Sequence, residues 1–291
     1  MILNHVKKFA IILSFSTFLA QADEAEILQN QYKSLLTKLN NNQFNRPLVL
    51  NSIESPNIIS GDIYAVIDFP FSVVNNSLNS SENAADNWCE VLMLHLNTKY
   101  CHTSVIGKNT VVAMGVGKKS GSFLSNVYDL QLNYQSNAAS KDYFQINFNA
   151  ATGPLGTKDY HILLEALPID QTHTFLHMTY SYGYGAAGRI AMKTYLSTIA
   201  RNKVGFTKIA PGSNEYVGGV RGMVERNTMR YYLAINAYLS SLTVSSDKRF
   251  SNRLTNWFDS TEQYSRQLHE MEREDYLLMK HQEIKTMELE K

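Results

Sequence analysis

Apolar residues recur along this chain at two different periods, and the change of period divides it. From Gly61 to Tyr182 they mostly alternate with polar residues. In GDIYAVIDFP (Gly61–Pro70), Ile63, Ala65 and Ile67 alternate with Tyr64, Val66 and Asp68. Tyr128–Gln135 (YDLQLNYQ) and Tyr143–Ala150 (YFQINFNA) repeat the pattern. A period of two places alternate side chains on opposite faces of a strand. Further strands are predicted at Lys99–Ile106 and Thr110–Gly117 around a Gly-Lys-Asn turn, and at Tyr160–Leu167 and Thr172–Tyr182. The connections are short, which implies an antiparallel meander.

Elsewhere the period is three to four. Gly218–Leu242 is predicted to be one long late helix. Val220, Met223/Val224, Asn227, Tyr231, Ala234/Ile235, Tyr238 and Leu242 fall on one side of it. We expect this helix to cover the apolar face of the sheet. Residues 23–45 predict a shorter helix built on Ile27, Tyr32, Leu35/Leu36 and Leu39, followed by an extended lead-in at Leu48–Ser60. Phe71–Leu94 predicts a helix broken at its polar middle, NSSENAADN. Another short helix is expected from about Ala186 to Ala200, and an extended piece at Gly205–Ile209. The last stretch, 243–291, is rich in charged and amide residues and predicts a solvated helical tail. Leu268, Met271, Leu278 and Met279 could form a thin seam on it without sustaining three heptads, so it is either a floppy or surface-docked tail or a partner-binding or self-associating helix.

The first 22 residues read differently. Two lysines, an apolar run of twelve and Ala20-Gln21-Ala22 make the three-part pattern of a secretory signal peptide, with cleavage expected after Ala22. A periplasmic or secreted location follows. Export changes the reading of the two cysteines. Cys89 and Cys101 are the only pair in the chain, and an oxidising compartment favours a disulfide. Free thiols, or metal with His95 and His102, are the alternatives; the spacing lacks the short knuckles of a zinc site. The formal net charge of +1, with basic residues scattered among acids, gives no support to nucleic-acid binding.

Candidate chemistry is sparse. Gly183-Tyr-Gly185-Ala-Ala-Gly188 matches G-x-G-x-x-G between a strand and a helix. The tight turns before it exclude the parallel sheet that a dinucleotide fold needs. It is read as a flexible strand-to-helix turn, whose glycines could serve a pocket gate. His173 and His177 share a strand face but stand roughly 13 Å apart, too far for one metal ion. Gly-x-Ser-x-Gly is absent. On the late helix Arg221 and Glu225 are one turn apart, as are Asn227 and Tyr231. With Arg230 they are candidates to orient a polar head group, while Trp88, Tyr180 and Tyr182 hold an apolar tail. An ordinary surface ion pair and core aromatics explain the same residues.

The order of elements is strand, broken helix, antiparallel strands and long late helix, carried by Gly61–Pro70, Phe71–Leu94, Lys99–Tyr182 and Gly218–Leu242. It resembles the helix-grip fold of the START-like superfamily, also called SRPBCC or Bet v 1-like. NWCEVLMLHLNTKYC (Asn87–Cys101) also resembles a segment of uncharacterised exported bacterial members. The resemblance implies an α+β fold in which a curved antiparallel sheet wraps the late helix and leaves an apolar cavity. It divides the chain into a signal peptide (1–22), an N-terminal helix and lead-in (23–60), a helix-grip domain (61–242) and a tail (243–291). The function expected is binding or carrying a hydrophobic small molecule such as a lipid, with no cofactor and no metal. The rivals are a hydrolase or cyclase using Glu165 or Glu225 in the same cavity, and an envelope protein that recruits a partner through its tail helix.

Overall fold

The computed structural model describes residues 24–118, 127–185, 188–190, 198 and 201–289, without the side chains of 137–139. The expected signal peptide, most of the Ala186–Ala200 helix and part of the Gly183–Gly188 turn lie outside these residues.

Eight antiparallel strands form one sheet: β1 (Leu48–Glu54), β2 (Ile58–Ile67), β3 (Thr98–Ile106), β4 (Asn109–Val116), β5 (Tyr128–Ser140), β6 (Tyr143–Thr152), β7 (Thr157–Pro168) and β8 (Thr174–Tyr184). Their order is β1-β2-β8-β7-β6-β5-β4-β3. A meander from β3 to β8 is extended at its β8 edge by the β1–β2 hairpin. The joint runs from Ile58 opposite Gly183 to Ile67 opposite Thr174. Two details differ from expectation. The strand placed at Gly61–Pro70 starts three residues earlier, at Ile58. The supposed lead-in contains β1, a full strand paired with β2 from Leu48–Ala65 to Glu54–Ile59. Its sequence, LVLNSIE, opens on three consecutive apolar residues, which hides the alternation.

The sheet has two covered faces. A helix over 24–40, α1, lies on the outer face, where Leu28, Leu35 and Leu39 pack with Val49, Tyr143, Leu167 and Phe175. The inner face carries the main core, including Ile63, Ile146, Leu164 and Met178. Above it lie α2 (Phe71–Asn75), a π turn at Asn76–Ser80 and α3 (Ala84–Leu92). The polar middle breaks the helix as expected: buried Asn79 accepts from Ser136 and donates to Asn75. Cys89 and Cys101 form a disulfide with a Cα–Cα distance of 5.3 Å, which ties α3 to β3.

The long late helix is α4 (Gly219–Ser241). It packs so closely on β2 that a Cβ at Gly61 would collide with the Thr228 hydroxyl. Its burial is not confined to one stripe. Val224, Thr228 and Ile235 are fully buried, and so are Met229 and Leu233 on other sides of the rod. The reason is the tail. α5 (Ser246–Glu262) covers the back of α4 with Leu254, Trp257 and Phe258, and the Trp257 indole N–H donates to the Arg230 carbonyl at 3.1 Å. A short α6 (Ser265–Leu268) and α7 (Arg273–Leu289) follow. On α7 the inward residues are Tyr276, Lys280 and Glu283, while Leu278 of the expected seam is 58% exposed. Gly205–Ile209 is not a strand of the sheet. It turns back on 215–217 through bonds such as Val217 N–H to Thr207 O, 2.8 Å.

Among the described residues no helix is long and apolar enough to cross a membrane.

Candidate functional site

A chamber of about 120 Å³ lies between the sheet, α3 and α4. Its apolar wall comes from Leu92, Met114, Leu132 and Ile162, and its aromatic side from Tyr160, Tyr180 and Tyr231. A recess of about 20 Å³ continues from it toward Trp88 and Phe148. The two share Leu92, Leu132, Ile162, Tyr180 and Tyr231. Strand alternation supplies the wall: Tyr160, Ile162 and Leu164 are every second residue of β7, and all face inward. Trp88 meets Phe148 edge-on at 5.1 Å and donates its indole N–H to the Leu78 carbonyl at 3.0 Å, so only its ring faces the recess.

One corner of the chamber is polar. His95, Asn97 and Thr98, from the connection between α3 and β3, line it together with Asn227 of α4. His95 stacks on Tyr231, with ring centroids 5.0 Å apart. Its Nδ1 accepts the Asn97 backbone N–H at 3.2 Å. The ring is neutral, because burial, and then the nearby charges of Arg230 and Lys280, hold its pKa well below the usual histidine value. With Nδ1 accepting, the single ring proton resides on Nε2. The Asn227 side chain, close to the ring, opposes that shift, yet neither Nε2 nor the Thr98 hydroxyl completes a hydrogen bond of good geometry with protein. Both residues are almost fully buried, at 5% and 1% exposure. Buried polar groups in this condition are rare and costly.

The same connection is held from behind by α7. Lys280 Nζ donates to the His95 and Thr98 carbonyls at 2.7 and 2.9 Å, and to Glu283 at 2.8 Å. Lys99 pairs with the other Glu283 oxygen at 2.8 Å, and the Tyr276 hydroxyl donates to the Leu94 carbonyl at 2.9 Å. Burial pushes the Lys280 ammonium down to about 8, with Glu283 opposing the shift. The polar corner is thus pressed between α4 and a buried ionic clamp.

The residues proposed from sequence separate into two groups. Trp88, Tyr180, Asn227 and Tyr231 come together on the chamber and its recess, and Tyr182 backs it by stacking on Tyr160 at 5.2 Å. Arg221, Glu225 and Arg230 are elsewhere. Arg221 lines an outer groove with Arg189 and Tyr184. Glu225 is fully buried, and its carboxylate accepts the Phe206 and Thr207 backbone N–H groups at 2.6 and 2.9 Å and the Ser52 hydroxyl at 2.5 Å. It fastens the 205–207 segment and β1 to α4. A Cβ at Gly205 would strike this carboxylate. Arg230 turns to the tail, donating to Glu270 at 2.8 Å and to the Leu268 carbonyl at 3.2 Å. The sequence reading grouped all three with Asn227 and Tyr231 as head-group candidates, but the 205–207 segment engages Glu225, the tail engages Arg230, and Arg221 faces the outer groove. His95 was considered only as a metal ligand, and Thr98 carried no signal at all. Among the described residues no cluster is suited to hold a metal ion.

Glu165 lies on the opposite side of the sheet, facing α1. There His177 donates or accepts at both ring nitrogens, with Glu165 at 2.8 Å and Asp62 at 3.1 Å, and stacks on Tyr64 at 4.1 Å. The Tyr143 hydroxyl donates to the second Glu165 oxygen at 2.8 Å.

The strand order and the seat of α4 define a helix-grip protein, as the START-like resemblance implied. Similar solved structures include the Zhui aromatase/cyclase from Streptomyces sp. R1128, with 15% identity, a TM-score of 0.38, and 66% of this chain covering 95% of that one. Norcoclaurine synthase from Thalictrum flavum has 10% identity and a TM-score of 0.34, with 51% and 91% covered. Human StAR-related lipid transfer protein 5 has 10% identity and a TM-score of 0.36, with 77% and 100% covered. Likenesses this distant carry nothing about a ligand or a reaction. No protein-family model matches the chain, and no curated protein matches it.

Proposed function

We propose that this chain is an exported protein that binds a hydrophobic small molecule in the chamber between the sheet and α4. The carrying observation is the chamber itself, walled by Leu92, Leu132 and Ile162 and flanked by Tyr180 and Tyr231. Apolar burial supplies the affinity, and the polar corner sets orientation. Its size limits the guest. An engineered cavity of about 150 Å³ holds benzene, and sites for drug-sized ligands run from about 300 Å³ upward. A ring or the end of an acyl chain fits this chamber as it stands. A whole lipid requires its walls to part. The Cys89–Cys101 disulfide supports an oxidising compartment and hence export. Glu165 and Glu225, the acids considered for a hydrolase or cyclase, both lie away from the chamber, so binding is the reading advanced.

Native mass spectrometry of the purified mature protein tests it, followed by organic extraction and titration with small apolar rings. We expect a bound apolar molecule, or a midpoint of thermal unfolding raised by added rings. Ile162→Trp, which fills the chamber, should abolish either effect. A protein that carries nothing and responds to no apolar ring contradicts the reading.

A further inference from the structure

Two polar atoms in this chamber are hydrogen-bond donors without acceptors. His95 Nε2 can only donate, because Nδ1 is committed to the Asn97 backbone N–H. The Thr98 hydroxyl has no protein partner either. Both belong to residues at least nine-tenths buried, and both residues line the same chamber. Their backbone carbonyls are pinned by Lys280, which fixes the segment that lines the chamber. The cations nearby have their donors engaged away from the chamber: Arg230 on Glu270 and the Leu268 carbonyl, and Lys280 on Glu283 and the His95 and Thr98 carbonyls. A charged guest would therefore lose its hydration without gaining a direct ion pair.

An uncharged carbonyl oxygen suits this corner. It has two lone pairs and no proton, and so takes one bond from each orphan donor. The rest of the chamber is apolar and the size of one ring. Resting on the binding function argued above, we propose that the chamber selects a ring-sized, uncharged molecule bearing a carbonyl oxygen, which accepts hydrogen bonds from His95 Nε2 and the Thr98 hydroxyl. The binding is reversible, and no bond is made or broken. Ordered water is the competing occupant, since one or two waters would satisfy the same donors.

Cyclohexanone and methylenecyclohexane are matched probes, equal in shape and differing in the oxygen. Titration of the full mature chain by calorimetry should show the ketone binding roughly tenfold tighter, the worth of one to two net hydrogen bonds. His95→Phe keeps a ring against Tyr231, and Thr98→Val keeps the shape. Each should weaken the ketone more than methylenecyclohexane and so reduce the ketone's advantage toward unity. Equal binding of the two probes by the native chain overturns the proposal and leaves the hydrophobic chamber intact. Failure of both probes to bind removes the chamber function as well. A preference that survives both substitutions also overturns it. If neither variant folds, ¹⁵N-histidine NMR of the native chain decides. The His95 Nε2 resonance should shift with cyclohexanone and not with its methylene analogue. No shift with the ketone, or a crystal soaked in it that keeps only water on these atoms, contradicts the proposal.

Discussion

His177 and His95 lie on opposite sides of the same sheet and meet opposite surroundings. On the outer face, His177 sits between two carboxylates, and both ring nitrogens are engaged. Burial by itself would lower its pKa. The hydrogen bonds to Asp62 and Glu165, and their charges, outweigh that and raise it. Asp62 is likewise pushed up by burial but ends below its usual value, through His177 and Thr179. On the inner side, His95 meets burial and two cations, and is held neutral with one nitrogen idle. The outer cluster completes itself and binds α1 to the sheet. The inner corner is braced from behind and left incomplete in front. The proposed guest would meet the open cluster, where buried donors remain to be satisfied.

The contrast is most strongly tested by taking away the brace. Glu283→Ala leaves Lys99 and Lys280 buried together without their carboxylate. Breaking a buried pair in this way costs about 3–5 kcal/mol, so the urea midpoint should fall sharply. Glu165→Gln on the half-buried outer face should cost less, and a ranking reversed between the two would break the comparison. Next in size is the disulfide, which closes the segment carrying His95 and Thr98. Replacing both Cys89 and Cys101 with Ala should cost about 3 kcal/mol in the chain-entropy model for a loop of this length, read as a lower midpoint. Gly205→Ala should cost about 1–3 kcal/mol by overpacking against Glu225, and a neutral result would contradict the placement of that carboxylate.

The smallest effects are in pH. The His177 contribution is fully present below its unfolded pKa of about 6.5 and is lost as pH rises through the higher folded value. For His95 the sign is reversed: its neutral form favours folding above about 6.5, and that advantage is lost as pH falls through the depressed folded value. NMR titration of the imidazoles should place His177 above 6.5 and His95 well below it. Two midpoints at the same pH would contradict the contrast.

Much of the frame was legible in sequence because it rests on periodicity. Alternation in YDLQLNYQ and YFQINFNA announced β5 and β6, and the three-to-four spacing announced α4. Trp88, Tyr180, Asn227 and Tyr231 were legible as pocket residues because helix and strand periods fix which way they face. β1 was hidden by its apolar opening. Arg230 and Glu225, which flank the stripe on α4, were grouped with the pocket candidates because nothing local shows that α5 and the 205–217 segment cover its other sides. The clamp was least visible of all. Lys280 and Glu283 look like solvated charges on a polar tail, and only their distant pairing with Lys99 and the His95 and Thr98 carbonyls puts them inside. The orphan donors are a property of geometry alone, since a histidine and a threonine after a helix carry no signal of what they fail to touch.

The central claim is that room for a guest exists under α4. Crystals of the protein pressurised with xenon give the sharpest test, since xenon enters apolar cavities of this size. We expect one ordered xenon between Leu132, Ile162 and Tyr231. Side chains closed over that position, with no xenon beneath α4, would contradict it.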